Sequence, residues 1–142
     1  MRTNRHKRYE KQQIIDIEKA TSKFSQHLMS NSKWVKLVNK FVENIASISH
    51  IEFKKIQSNE IGKLSLSEDT EFGFDYWQNG FEGHNSLGGW LTFKEIEYLK
   101  FPKHIDETNS MQNLDEIEKI ILSVGQFEIE KDENELKLIC YK

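Results

Sequence analysis

The chain has 142 residues, 37% of them hydrophobic and 30% charged, with a formal net charge of −3. That length suits one domain able to bury a core unaided, and no apolar run approaches the roughly 20 residues that a bilayer span needs. The one cysteine, Cys140, excludes an internal disulfide framework and suits a reducing cytoplasm.

Residues 1–12 set Arg2, Arg5, Lys7, Arg8 and Lys11 against Glu10. No apolar h-region follows them, so the segment does not read as a secretory signal. Two readings are open: a frayed, solvated tail over about residues 1–10, or a nucleic-acid-binding arm, for which no aromatic interleaving beyond Tyr9 supports base stacking. Over residues 10–29, Ile14, Ile17, Thr21, Phe24 and Leu28 recur at three and four residues and share one helical face. Ser30-Asn31-Ser32 interrupts and offers a cap for a second helix running to about Ser47. Its apolar stripe is Trp34, Leu37, Val38, Phe41, Ile45 and Ile48, with Trp34 as a core anchor. Two such helices in succession suggest a helical hairpin packed on a later sheet.

Near residue 50 the period drops from 3.6 to 2. Ile51, Phe53 and Lys55 alternate with Glu52, Lys54 and Ile56 as in a strand, Ser58-Asn59-Glu60 reads as a turn, and Leu64 and Leu66 mark another short strand. Phe72, Phe74 and Tyr76 alternate with Gly73 and Asp75, and Asn79-Gly80 then favours a turn. A glycine-rich loop follows, Gly83 to Gly89. From Trp90, the residues Leu91, Phe93 and Glu95 share one side. The apolar parity changes between Phe93 and Ile96, which requires a bulge or a short break near Lys94-Glu95. Pro102 cannot donate to a ladder and ends that strand.

Residues 106–110 form a polar loop with cap candidates, and 111–124 read as a helix presenting Leu114, Ile117, Ile120, Ile121 and Val124. Asp115, Glu116 and Glu118 near its start favour the macrodipole, and Gly125 is placed for a C-cap. Phe127 and Ile129, then Leu136, Leu138 and Cys140, flank Asp132-Glu133-Asn134 as a β-hairpin, with Cys140 a buried strand residue. The expected fold is a single α+β domain over 1–142: an N-terminal helical hairpin, a mainly antiparallel sheet, and one late helix followed by a C-terminal β-hairpin.

Catalytic signatures are sparse. His6, His27, His50, His84 and His104 form no His-x-x-x-His pair, so neither a metal nor a cofactor is expected. His84, near Asp75 and Glu82 in sequence, is open to two readings, a general base or an exposed loop histidine. Glu52-Phe53-Lys54 resembles the Glu-x-Lys half of a metal-dependent nuclease site, but Asp16, in the first helix, is the only aspartate upstream of it. The glycine loop lacks Gly-Lys-Ser/Thr and does not lead into a helix, so it is not a phosphate cradle. No Gly-x-Ser-x-Gly elbow is present.

Asn31-Ser32-Lys33-Trp34, Gly88-Gly89 and Phe93-Lys94-Glu95-Ile96-Glu97-Tyr98 together resemble a family of small bacterial proteins known only as a domain of unknown function. The resemblance covers roughly residues 30–102, departs at Tyr98-Leu99-Lys100, where an acidic residue would close the motif, and implies no catalytic residues. In overall style the chain is also similar to immunity proteins of bacterial toxin systems, including contact-dependent growth inhibition. That resemblance implies a cytoplasmic, non-enzymatic protein that binds and blocks one cognate toxin domain.

Charge layout agrees with such a role. Residues 1–64 carry 13 Lys/Arg and 6 Asp/Glu, or +7, while 65–142 carry 7 and 17, or −10. An acidic half can steer a basic nuclease domain. The expected contact residues are Asp75, Trp77, Phe81, Glu82 and His84 in the aromatic loop, with Glu128, Glu130, Glu133 and Glu135 on an outward acidic face of the terminal hairpin. Aromatic anchors would hold the complex and the acidic rim would speed its formation. The alternatives are a nucleic-acid-binding regulator using the basic N-terminus, or a small metal-dependent nuclease. A membrane partner is not expected.

Overall fold

The computed structural model describes residues 11–48, 50–66, 80–82, 86–87, 90–105 and 110–142. Helix α1 spans Lys11–Ser22 and buries Ile17 and Ala20. It stops earlier than the apolar spacing suggests. Thr21 and Ser22 donate their hydroxyls back to the carbonyls of Glu18 and Lys19, a local alternative to helix propagation. The chain then extends, and the amides of Ser25 and Gln26 donate to the Lys142 carbonyl while that of Leu28 donates to Cys140. Phe24 meets the Tyr141 ring at 5.1 Å instead of continuing a helical face.

Helix α2 spans Asn31–Glu43. Ser30 caps it, accepting the Lys33 amide at 3.2 Å, an interaction worth about 1 kcal/mol in such positions. Trp34, Leu37, Val38 and Phe41 are buried along one face. Turns over residues 44–47 replace the expected last helical turn. Helix α3 spans Leu114–Val124, with Asp115 and Glu116 in its first turn. Its cap is Asn113, which accepts the Glu116 amide, rather than a residue of the 106–110 loop, because Ser110 and Met111 are drawn into a short pairing with His104 and Ile105. Gly125 follows the helix in extended backbone (φ 168°, ψ −161°), not in the left-handed conformation expected of a glycine C-cap.

The sheet is antiparallel throughout. Its strands are β1 (Ile51–Lys55), β2 (Ile61–Leu64), β5 (Ile96–Pro102), β8 (Glu128–Lys131) and β9 (Glu135–Ile139), in the order β2-β1-β5-β9-β8. Two small pairs stand apart from it: β3 (Gly80–Glu82) with β4 (Trp90–Thr92), and β6 (His104–Ile105) with β7 (Ser110–Met111). The register sets Gly62, Phe53, Leu99, Leu138 and Ile129 in one row across all five strands. Residues directly opposite share a face. That row and its neighbours Ile51, Leu64, Phe101, Leu136 and Cys140 pack beneath α2 and α3 in a single core. Trp34 stacks on Phe93 at 5.2 Å and 10°, and Phe41 meets Phe101 edge-on. Trp34 is therefore the core anchor its spacing implied.

The parity change between Phe93 and Ile96 is a single 3-10 turn, Phe93–Glu95. It exposes Lys94 but buries Phe93 and then the adjacent Glu95 and Ile96, a pair that the alternation of a continuous strand would not bury together. Glu95, 1% exposed, accepts hydrogen bonds from the Thr92 amide and hydroxyl on one oxygen and from Gln57 on the other, with Lys55 at 3.7 Å. Thr92-x-x-Glu95 is thus a capping box that the sequence displays openly. Gln112 performs a similar task deeper in the chain. Its side-chain oxygen accepts the His50 amide, and its side-chain nitrogen donates to the carbonyls of His50 and Pro102, tying the start of β1 to the end of β5.

Candidate functional site

The helices cover one face of the sheet, and the register places mostly polar residues on the other, with Ile61 and Ile139 among them. From β2 to β8 the polar ones are Lys63, Glu52 and Lys54, Tyr98 and Lys100, Glu135 and Lys137, then Glu128 and Glu130. The side chains interlock across strands. His50 Nε2 lies 2.9 Å from Glu52, Lys100 lies 3.8 Å from Glu52 and 3.4 Å from Glu135, and Lys137 lies 3.5 Å from Glu135. The Lys137 ammonium also sits 4.7 Å from the Tyr98 ring centroid. Lys54 reaches Glu97 at 2.8 Å. Such half-exposed pairs contribute little individually, but they order the face and set its charge pattern.

This pattern qualifies the acidic hairpin expected from sequence. Glu135 is held between Lys100 and Lys137, and Glu128 lies 3.2 Å from Lys142. Glu130 is exposed and faces Lys137 only in register, and Glu133 is exposed in the turn between β8 and β9. Among the described residues, neither Glu130 nor Glu133 makes an ion pair. Asp132 uses one carboxylate oxygen to accept the amides of Asn134 and Glu135, which shapes that turn. Free negative charge is therefore concentrated at the outer edge and tip of the hairpin, while the middle of the sheet alternates in sign. Lysines at 100 and 137 were visible in the sequence, but their pairing with Glu135 depends on cross-strand register.

Beside the tip, an open groove of about 460 Å³ runs between Lys103, Met111, Asp115, Lys131 and Glu133. Met111 is 62% exposed there. Lys131 donates to Asp115 at 2.7 Å and to Glu118 at 2.8 Å, bridging β8 to the first turns of α3. The hydrogen bond from Lys131 holds the Asp115 carboxyl below its ordinary range, and the bonds to Asp115 and Glu118 raise the Lys131 ammonium.

The aromatic loop is only partly in view. Asp75, Trp77 and His84 lie outside the described residues, as does the strand expected over Phe72 to Tyr76. Phe81 and Glu82 fall in β3, opposite Leu91 and Trp90. Among the described residues, β3 packs on β4 and the 3-10 turn, whereas β8 packs on β9. The Glu52-Phe53-Lys54 motif has Phe53 fully buried, while Glu52 faces His50 and Lys100, and Lys54 faces Glu97. Among the described residues no group of three or more His, Cys, Asp and Glu is placed to hold a metal ion. Cys140 is 1% exposed, and burial, followed by the nearby Glu97 charge, pushes its thiol well above the ordinary value, as suits a structural residue. Among the described residues no helix is long and apolar enough to cross a membrane.

No protein-family model, curated protein or solved structure matches the chain. Its fold is an α+β domain in which a five-stranded antiparallel sheet carries helices on one face and a charged, register-locked surface on the other.

Proposed function

We propose that the protein is a cytoplasmic, non-enzymatic immunity protein that binds and blocks a basic bacterial toxin domain. The observation that carries this reading is the pair of exposed carboxylates, Glu130 and Glu133, left without a cation among the described residues at the edge and tip of the β8–β9 hairpin. Elsewhere on this sheet face carboxylates stand beside lysines. Unneutralised charge at one rim is what electrostatic steering of a basic partner requires. The neighbouring groove, with Met111 exposed in it, offers an apolar contact beside that rim. The aromatic loop around Trp77, Phe81 and His84 belongs to the same proposal as a second contact.

The test begins with the adjacent gene. A large secreted protein with a variable C-terminal domain should be encoded directly upstream, and that domain, purified, should bind this protein and be inhibited by it. Glu130→Lys with Glu133→Lys should slow association at low salt, with the difference fading at high salt. The reading fails if neither that domain nor a panel of basic nuclease toxin domains binds.

A further inference from the structure

The β8 strand closes the sheet on one side, and its own outer edge has no partner among the described residues. Which peptide groups face outward follows from the register. Glu135 accepts the Asp132 amide across the hairpin, and Cys140 donates to Glu97 on the β5 side. Backbone direction alternates along a strand, so Lys137 and Ile139 turn toward β8, and their opposites Glu130 and Glu128 turn toward β9. The peptide groups of Ile129 and Lys131 therefore turn away from the sheet. Outside the strand ladders, no backbone hydrogen bond among the described residues engages them.

The two faces of this edge differ. Toward the helices it presents Phe127 and Ile129, both partly buried against the core, with the Lys33 ammonium 5.4 Å from the Phe127 ring centroid. Toward the open face it presents Glu128 and Glu130. A second copy pairing antiparallel here must keep outward-turned residues opposite one another. That places glutamate against glutamate on the open face, which is destabilising. An acidic strand is excluded for the same reason.

We propose that β8 is a docking edge for an extended basic segment of a partner protein, which joins the sheet as a sixth strand. Its alternate residues are lysine or arginine, opposite Glu128 and Glu130, and its intervening residues are apolar, continuing the layer of Phe127 and Ile129. The backbone of Ile129 and Lys131 supplies the pairing, and the side chains select the sequence. This rests on the reading of the chain as a protein that binds a basic partner and specifies how that partner is held.

The probe is a short blocked peptide alternating lysine and valine, with two controls: the same peptide N-methylated at alternate residues, and a glutamate–valine counterpart. Titrated into isotope-labelled protein, the lysine peptide should shift the amide resonances of Ile129 and Lys131 and slow their hydrogen exchange. Neither control should do so. On the backbone, Ile129→Pro removes an outward N–H that does not serve the β8–β9 ladder, and it also replaces a side chain partly buried against the core. It should weaken peptide binding roughly fivefold to tenfold, with circular dichroism confirming the fold. Should that variant misfold, Glu130→Lys serves as the second, weakening the lysine peptide and admitting the glutamate one. Equal shifts from the N-methylated peptide, or shifts centred elsewhere, would overturn edge pairing and leave simple charge attraction. Toxin-domain binding unaffected by Ile129→Pro would also overturn it while leaving the immunity reading intact. Peptide pairing at β8 with no toxin bound would do the reverse.

Discussion

Gly62 lies on β2 directly opposite Phe53, and a methyl group built at its Cα would sit 2.5 Å from Phe53 Cζ, 2.7 Å from Cε1 and 3.0 Å from Leu87 Cγ. Phe53 is fully buried beneath the helices, so its ring has nowhere open to retreat. The backbone at Gly62 is outside the left-handed region, so space rather than conformation demands glycine. Forcing a methyl into a filled core costs about 1–3 kcal/mol. Reduced freedom of the unfolded chain offsets about 0.4–1 kcal/mol of that. Gly62→Ala should then destabilise by a net of about 1–2 kcal/mol, lowering the midpoint of thermal unfolding by about 3–6 °C for a chain of this size. Urea unfolding of Gly62→Ala, Phe53→Leu and the double variant gives the coupling. Leucine has neither of the two ring atoms that clash, so the double variant should be more stable than the sum of the singles implies, by about 1 kcal/mol. Gly125→Ala is the control: its methyl would meet only Phe127 at 3.8 Å in extended backbone, and it should be neutral or stabilising by up to about 1 kcal/mol. A Gly62→Ala protein as stable as wild type, or additive energies in the cycle, would refute the close packing of β2 on Phe53.

Glu95→Ala strips a buried acceptor from the Thr92 amide and hydroxyl and from Gln57, and should destabilise by about 3 kcal/mol in urea unfolding. Thr92→Ala removes the hydroxyl of the capping box but leaves Glu95 the Thr92 amide and Gln57, and should lose about 1 kcal/mol, a smaller effect in the same assay. The Tyr141 hydroxyl donates to the Lys94 carbonyl at 2.7 Å, and burial, then the neighbouring Cys140, pushes its phenol up to about 12. Because the folded value lies above the ordinary one of 10.0, the associated stability is complete below about pH 10 and is lost as pH rises toward 12. The phenolate absorbance of wild type minus Tyr141→Phe should therefore titrate near 12 in the folded state, and a midpoint near 10 would contradict the burial.

Periodicity is a local property, and what depends on it was legible in the chain. The stripe Trp34-Leu37-Val38-Phe41 and that of Leu114-Ile117-Ile120-Ile121 specify two core-facing helices, because residues three and four apart must share a helical face. The alternation of Leu136, Leu138 and Cys140 across the Asp132–Asn134 turn specifies the terminal hairpin, and the parity change after Phe93 located the 3-10 turn. What depends on partners distant in sequence was decided only by the tertiary structure. Helix α1 ends at Ser22 because residues 25–28 pair with 140–142, more than a hundred positions away. The acidic hairpin became a sheet face of alternating charge because register sets Lys100 opposite Lys137 and brings both to Glu135. Gln112 looks like an ordinary polar residue until folding brings His50 and Pro102 to it. A side chain's propensity is its own, but its hydrogen-bond and charge partners exist only once strands β1, β5 and β9 lie side by side.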